Sequence, residues 1–157
     1  MATVEEAKSK VLKILTEGMG LNVQALSNGN LTVRFNDATT AAFFRFEQQE
    51  FDGKAATQAF VHIFSPILRD VPASEDLFKW IAIAGTGFRL GTVEAFNEEG
   101  GTIYMHYRYA LLADFLDEDE LSTAMWAVLA TADRLDDELK EKFGGKRWVD
   151  GDELLDA

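Results

Sequence analysis

Two histidines, one glycine-rich loop and one acidic tail are the residues of this chain whose types and spacing bear on chemistry. A metal site built on His62 and His106 would need both rings side by side with one or two carboxylates. A general acid–base role would need a substrate pocket within hydrogen-bond reach of a ring nitrogen. Both histidines fall in strand-like stretches, so packing or surface placement is the simpler reading. His106 alternates with Tyr104 and Arg108 along Thr102–Ala110, which puts the three on one strand face, where they are candidates to line a ligand-binding sheet surface. Gly85-Thr86-Gly87-Phe88-Arg89-Leu90-Gly91 has the look of a phosphate loop, but no long helix with a later acid follows it, and a helix end with a turn accounts for it. The tail Trp148-Val149-Asp150-Gly151-Asp152-Glu153-Leu154-Leu155 lacks the alternating carboxylates and closing Glu of a calcium loop. Its apolar residues Trp148, Val149, Leu154 and Leu155 are expected to dock on the parent domain or on a neighbour. With no cysteine, disulfides, thiolate ligands and thiol nucleophiles are excluded. No catalytic set assembles from what remains, so the expectation is a protein that is not an enzyme and carries no cofactor.

The wider composition narrows the class further. A length of 157 residues suits one domain that buries well over half of its unfolded surface. Mean hydropathy is −0.09 and 47% of residues are hydrophobic, ordinary values for a globular chain, with phenylalanine frequent at 12 copies. A net charge of −12 opposes the phosphate neutralisation on which nucleic-acid affinity rests, so nucleic acid is not an expected partner. Residues 114–157 hold 14 acids against 5 basic residues, which reads as a solvated acidic surface or as steering for a basic partner. No apolar stretch nears the roughly 20 residues that span a bilayer, and the start carries acids and lysines from Glu5 on, so the chain is expected in the cytoplasm and off the membrane.

The elements that must position these residues are marked by period and punctuation. Val4, Ala7, Val11, Ile14 and Leu15 recur at helical spacing over about residues 3–17, before Gly18 and Gly20. Extended segments follow: 21–26 and 31–35 about Asn28-Gly29, then Thr39–Gln49, and Ala56–Leu68 after a turn at Asp52-Gly53. Pro66 is expected to limit that last strand or place its end at a sheet edge. Pro72 and the cap Ser74 introduce a short helix over 77–84, and 93–96 and 102–110 form a second hairpin. Asp117 with Glu120 caps a long helix closed by Gly144-Gly145, whose stripe Leu121, Met125, Val128, Ala132, Leu135, Leu139 and Phe143 must be buried. Trp126 and Ala130 lie off that stripe, and an off-stripe Trp marks a candidate dimer or partner surface.

This order, with Val71-Pro72 before the second helix, an acidic-glycine turn between the paired strands and the closing run Leu116-Asp117-Glu118-Asp119-Glu120-Leu121 through Ala132-Asp133-Arg134-Leu135 to Phe143-Gly144-Gly145, resembles the YbjN family over about residues 4–145. That family often has an asparagine near the end of its second helix, where this chain reads Ala84-Gly85-Thr86-Gly87. The resemblance implies an α+β, type III secretion chaperone-like fold, a curved antiparallel sheet packed by helices in the order α-β-β-β-α-β-β-α. It also implies a single domain over 1–145 with an acidic C-terminal tail over 146–157. The implied function is a non-enzymatic protein-binding or chaperone-like module, in some cases a regulator, working as a homodimer on a protein partner. The candidate interface comprises Trp126, Ala130, Trp148, Tyr104, His106 and Arg108. The alternative is a small-molecule-binding regulatory domain using the aromatic sheet face; a weaker rival is an enzyme working through His62 or His106 with nearby acids.

Overall fold

The first helix begins where Thr3 can satisfy it. Its Oγ1 accepts the Glu6 N–H at 3.2 Å and the Glu6 carboxylate accepts the Thr3 N–H at 2.8 Å, a capping box that starts α1 (Val4–Lys13). The computed structural model describes residues 1–50 and 57–151, so the Asp52-Gly53 turn and Leu154 and Leu155 lie outside the described residues. After α1 the helix widens into a π turn, Ile14–Gly18, which keeps Leu15 on the buried side with Ala7 and Val11. The strands β1 (Val23–Ala25), β2 (Leu31–Arg34), β3 (Ala41–Glu50) and β4 (Thr57–Pro72) come next. They are followed by α2 (Glu75–Ile83), β5 (Thr92–Asn97), β6 (Thr102–Leu112) and α3 (Glu118–Phe143). The fold is α+β: one sheet in the order β1-β2-β3-β4-β6-β5, antiparallel at every junction, with three α-helices.

The four strands before α2 correspond to the four extended segments read from the residues, one more than in the order the resemblance implied, and the rest of that order holds. Asn28 Oδ1 accepts the Asn30 N–H at 3.0 Å and Gly29 adopts φ +87°, so the chain reverses tightly enough for both short arms to pair. Pro66 departs from expectation more sharply: it sits inside β4, one of the two middle strands, rather than at an edge. The ladder with β6 slips between Pro66 and Leu68 and again before Val71, so the residue without an N–H falls at a bulge, and Asp70 follows at φ +54°. Thr40 Oγ1 donates to the Pro66 carbonyl at 2.7 Å and Ser65 Oγ to that of Ala41 at 2.8 Å, replacing ladder bonds with buried hydroxyls.

The long helix follows its sequence signals. Asp117 Oδ1 accepts the Glu120 N–H at 2.8 Å, and Leu121, Met125, Val128, Ala132, Leu135 and Leu139 are buried. With Ala7, Val11 and Leu15 of the first helical segment they form one core against Leu31, Val33, Phe44, Val61, Ile63, Met105 and Tyr107. Strand alternation puts those sheet residues on a single face, so α1 and α3 lie on the same side. Beyond α3 the chain must turn closely over β4: a Cβ at Gly145 would stand 2.7 Å from Val71 Cγ2, and its φ of +90° favours glycine. Lys146 can then pair antiparallel with Arg69 and lead the chain over the sheet's far end.

Candidate functional site

The other face of the sheet carries no α-helix among the described residues, and its residues follow from the register. Phe43 pairs with Phe64, Arg45 with His62 and Glu47 with Phe60 across β3 and β4. Phe64 then pairs with Arg108 across β4 and β6, and Glu94 with His106 and Phe96 with Tyr104 across β5 and β6. Four strands thus place aromatic rings, two imidazoles, two arginines and two carboxylates side by side. At one end a small cluster of Leu26, Ala41, Phe43 and Phe64 is capped by Trp148 from a 3₁₀ turn, Trp148–Asp150. The Trp148 ring meets Phe43 edge-on at 6.3 Å, and the Arg34 guanidinium lies 5.1 Å from its centroid.

The middle of this face is a charged chain of hydrogen bonds. Arg108 donates through Nε to Glu94 Oε1 at 2.7 Å and through Nη1 to His62 Nδ1 at 2.7 Å. His106 Nε2 meets Glu94 Oε2 at 2.9 Å, and His62 Nε2 meets Glu47 Oε2 at 3.2 Å. Since an arginine can only donate, His62 must accept at Nδ1 and carry its proton at Nε2, which then points to Glu47. Burial holds the His62 ring below its ordinary value, helped by the charges of Arg108 and Arg45. Burial does the same to His106, only partly offset by Glu94. Both rings are therefore neutral at pH 7. Burial would raise Glu94, but its bonds from Arg108 and His106 outweigh this and keep the carboxyl below its usual range. Burial pushes the Tyr104 phenol strongly up, so it stays protonated.

Beside this network runs an open groove of about 580 Å³ whose walls include Arg45, Phe64, Phe96, Tyr104 and His106, with Asn28 and Asn30 at the rim. His106 is the hub: its ring lies 5.1 Å from Phe64, 5.0 Å from Phe96 and 5.6 Å from Tyr104. Phe96 remains 46% exposed, enough ring surface to receive an apolar group from outside. Among the described residues no group of three or more His, Asp or Glu is placed to hold a metal ion. The arrangement presents fixed apolar walls and polar rims. It is suited to recognition.

Of the residues singled out from sequence, Tyr104 and His106 line the groove, and Arg108 lies beside it, tied to Glu94. Trp148 caps the far end of the same face, while Val149 is half exposed. Trp126 and Ala130 are elsewhere, one turn apart on the outer side of α3; Trp126 is 44% exposed and packs on Phe35 at 4.7 Å. Arg45, Phe64, Phe96, Glu94 and the two asparagines were not singled out from sequence. Alternation along Thr39–Gln49 separates Phe43 and Arg45 from Ala42, Phe44 and Phe46, a signal that pairs them with a face but not with a partner strand.

Over residues 5–151 the chain matches the family TY-Chap1, described as T3SS (YopN, CesT) and YbjN peptide-binding chaperone 1. It belongs to this family. No curated protein matches the chain. Among solved structures it is similar to the Yersinia pestis type III secretion chaperone SycH, determined in complex with a stable fragment of YscM2. That likeness has 11% identity and a TM-score of 0.49, and covers 82% of this chain and 98% of that one. No helix of the described residues is long and apolar enough to cross a membrane.

Proposed function

We propose that this protein is a peptide-binding, chaperone-like module that holds an extended segment of a partner protein on its helix-free sheet face and catalyses no reaction on it. The observation that carries this reading is the groove beside His106, with Phe64, Phe96 and Tyr104 as its walls, in a chain of the TY-Chap1 family. An extended segment alternates its side chains and offers unpaired backbone groups. The aromatic walls take the former, and the amides of Asn28 and Asn30 stand where the latter would pass. A cytoplasmic location and a homodimer belong to the same proposal; Trp126, exposed with Ala130 one turn away, is the surface that supports self-association. A role as a regulator would follow from which segment is held. The domain limit near residue 145 stays part of this reading, with Trp148–Asp150 serving as a strap at one end of the face through Trp148.

The test is an array of overlapping peptides from proteins of the same proteome, probed with the full chain and with a Phe96→Ser variant. Phe96 is half exposed on an edge strand, so the variant should fold. Discrete peptides that bind the native chain and lose most of their signal with the variant support the proposal. Binding indifferent to Phe96 would move the site off this face, and saturation of the groove by a small metabolite that leaves peptides unbound would favour the small-molecule alternative.

A further inference from the structure

Resting on the peptide-binding reading, we propose that the groove is selective: it takes segments in which an apolar side chain is accompanied, two residues away, by a carboxylate, and Arg45 reads that carboxylate. Cations on this face differ in how far they are already committed. Arg108 is held by Glu94 at 2.6 and 2.7 Å and by His62. Arg34 lies over the Trp148 ring, and Arg69 reaches Asp70 and Glu98. His62 and His106 are neutral. Among the described residues Arg45 alone lines the groove as a charge, and its ion pair is a 3.8 Å approach to Glu47 with both side chains half exposed. Such an exposed pair is weak and yields readily to a better-placed carboxylate. Glu47 keeps its second partner, His62, when Arg45 turns away.

The spacing follows from the sheet. Because Phe43 is the direct partner of Phe64, Arg45 is the diagonal neighbour of Phe64, at a separation of roughly 7–8 Å. Side chains i and i+2 of an extended peptide project on one side at roughly 7 Å. A ligand strand running over the face can therefore set an apolar side chain among Phe64, Phe96 and His106 while its next same-side residue meets the Arg45 guanidinium. Charge complementarity points the same way. In a chain of net charge −12, a groove whose one charged wall among the described residues is cationic is a place where an acidic segment is not repelled at contact.

The experiment uses the full-length chain and fluorescein-labelled Ser/Gly nonapeptides with a central Phe or Leu and Glu, Gln or Lys two residues on, followed by fluorescence anisotropy up to millimolar peptide. Glu peptides are expected to bind about three- to tenfold more tightly than Gln peptides, and Lys peptides most weakly, with the preference shrinking in high salt. Arg45→Glu should invert the order so that Lys peptides lead, which a folding defect cannot produce. Phe96→Ser should weaken all three about equally. Equal binding of Glu and Gln peptides, or a preference that survives Arg45→Glu, overturns this inference while leaving the peptide-binding reading standing. No binding by any peptide, with Phe96→Ser also without effect on an array, removes both.

Discussion

Asp136 is fully buried on α3, and the chemistry around it dictates a proton. Thr39 Oγ1 lies 2.7 Å from Asp133 Oδ1 and in a very short contact with Asp136 Oδ2, while the Thr39 N–H also donates to Asp133. One hydroxyl has one hydrogen, so it cannot donate to both carboxylates. Below a pH of about 6 it donates to Asp133 and accepts from a protonated Asp136, whose Oδ1 has no partner. Burial, with the charges of Asp137 and Asp133 added, outweighs Thr39 and Arg147 and raises this carboxyl from 3.8 to about 6. A folded-state pKa above the unfolded one gives stability that is complete below the unfolded value and is lost as pH rises through the folded one. A shift of about two units corresponds to about 3 kcal/mol, of which about 2 kcal/mol is lost between pH 4.5 and 8. Asp136→Asn removes the titration and offers Thr39 an amide donor in place of the acid proton. Its stability relative to the native chain, from urea midpoints at the two pH values, should therefore improve by about 2 kcal/mol on going to pH 8. In thermal melts the gain is about 4–8 °C for a chain of this size. A relative stability that stays constant with pH, or falls at pH 8, would show that Asp136 is already ionised in the fold at pH 4.5 and the reasoning is wrong.

Two further outcomes follow from the geometry. Glu94→Gln should lower the His106 titration midpoint further, because Glu94 both accepts from Nε2 and raises that ring, and should lower stability by about 1–3 kcal/mol by leaving Arg108 partly unpaired; an NMR titration in which His106 moves up contradicts the network. Gly145→Ala should cost about 1–3 kcal/mol in chemical denaturation, since its Cβ would meet Val71 Cγ2 at 2.7 Å and the Arg69 carbonyl at 2.8 Å at a φ of +90°, and a neutral result would mean the α3 exit can swing away from β4.

What could be read from the chain depended on whether the cause was local. α3 was legible because its cap, stripe and terminal glycines all lie within one stretch, and the first hairpin because Asn28-Gly29 makes its own turn. Pro66 misled because the groups that make a central-strand proline tolerable, Thr40 and Ser65, act across the sheet and the bulge shows only in the register. The site divides in the same way. Alternation in β6 alone brought Tyr104, His106 and Arg108 to one face. Nothing local could show that β4 separates β3 from β6, which is what lays Phe43, Arg45 and His62 beside them. The acidic surplus reads as a solvated surface or as steering for a basic partner, whereas the groove's own charge, among the described residues, comes from a single arginine.

The two faces of the sheet do different work, and this explains why one can remain open. The helical side buries the large aliphatic stripe of α3 with Leu15, Val61, Ile63 and Met105, so most of the hydrophobic stabilisation of the fold comes from this side, and the cluster under Trp148 adds a smaller share. An open face of aromatic residues alone would invite collapse or self-association. Here the rings are interleaved with Glu94, Arg108, His62 and Glu47, whose bonds satisfy one another and keep His106, and through it Phe64 and Phe96, in fixed positions. The ordering cost of the walls is thereby met during folding, and a peptide entering the groove brings chiefly its own. Breaking the network should consequently weaken peptide binding even where no network residue touches the peptide. Arg108→Gln measured against the anisotropy series above is the direct check, with a loss common to Glu, Gln and Lys peptides expected, as against the charge-dependent loss at Arg45.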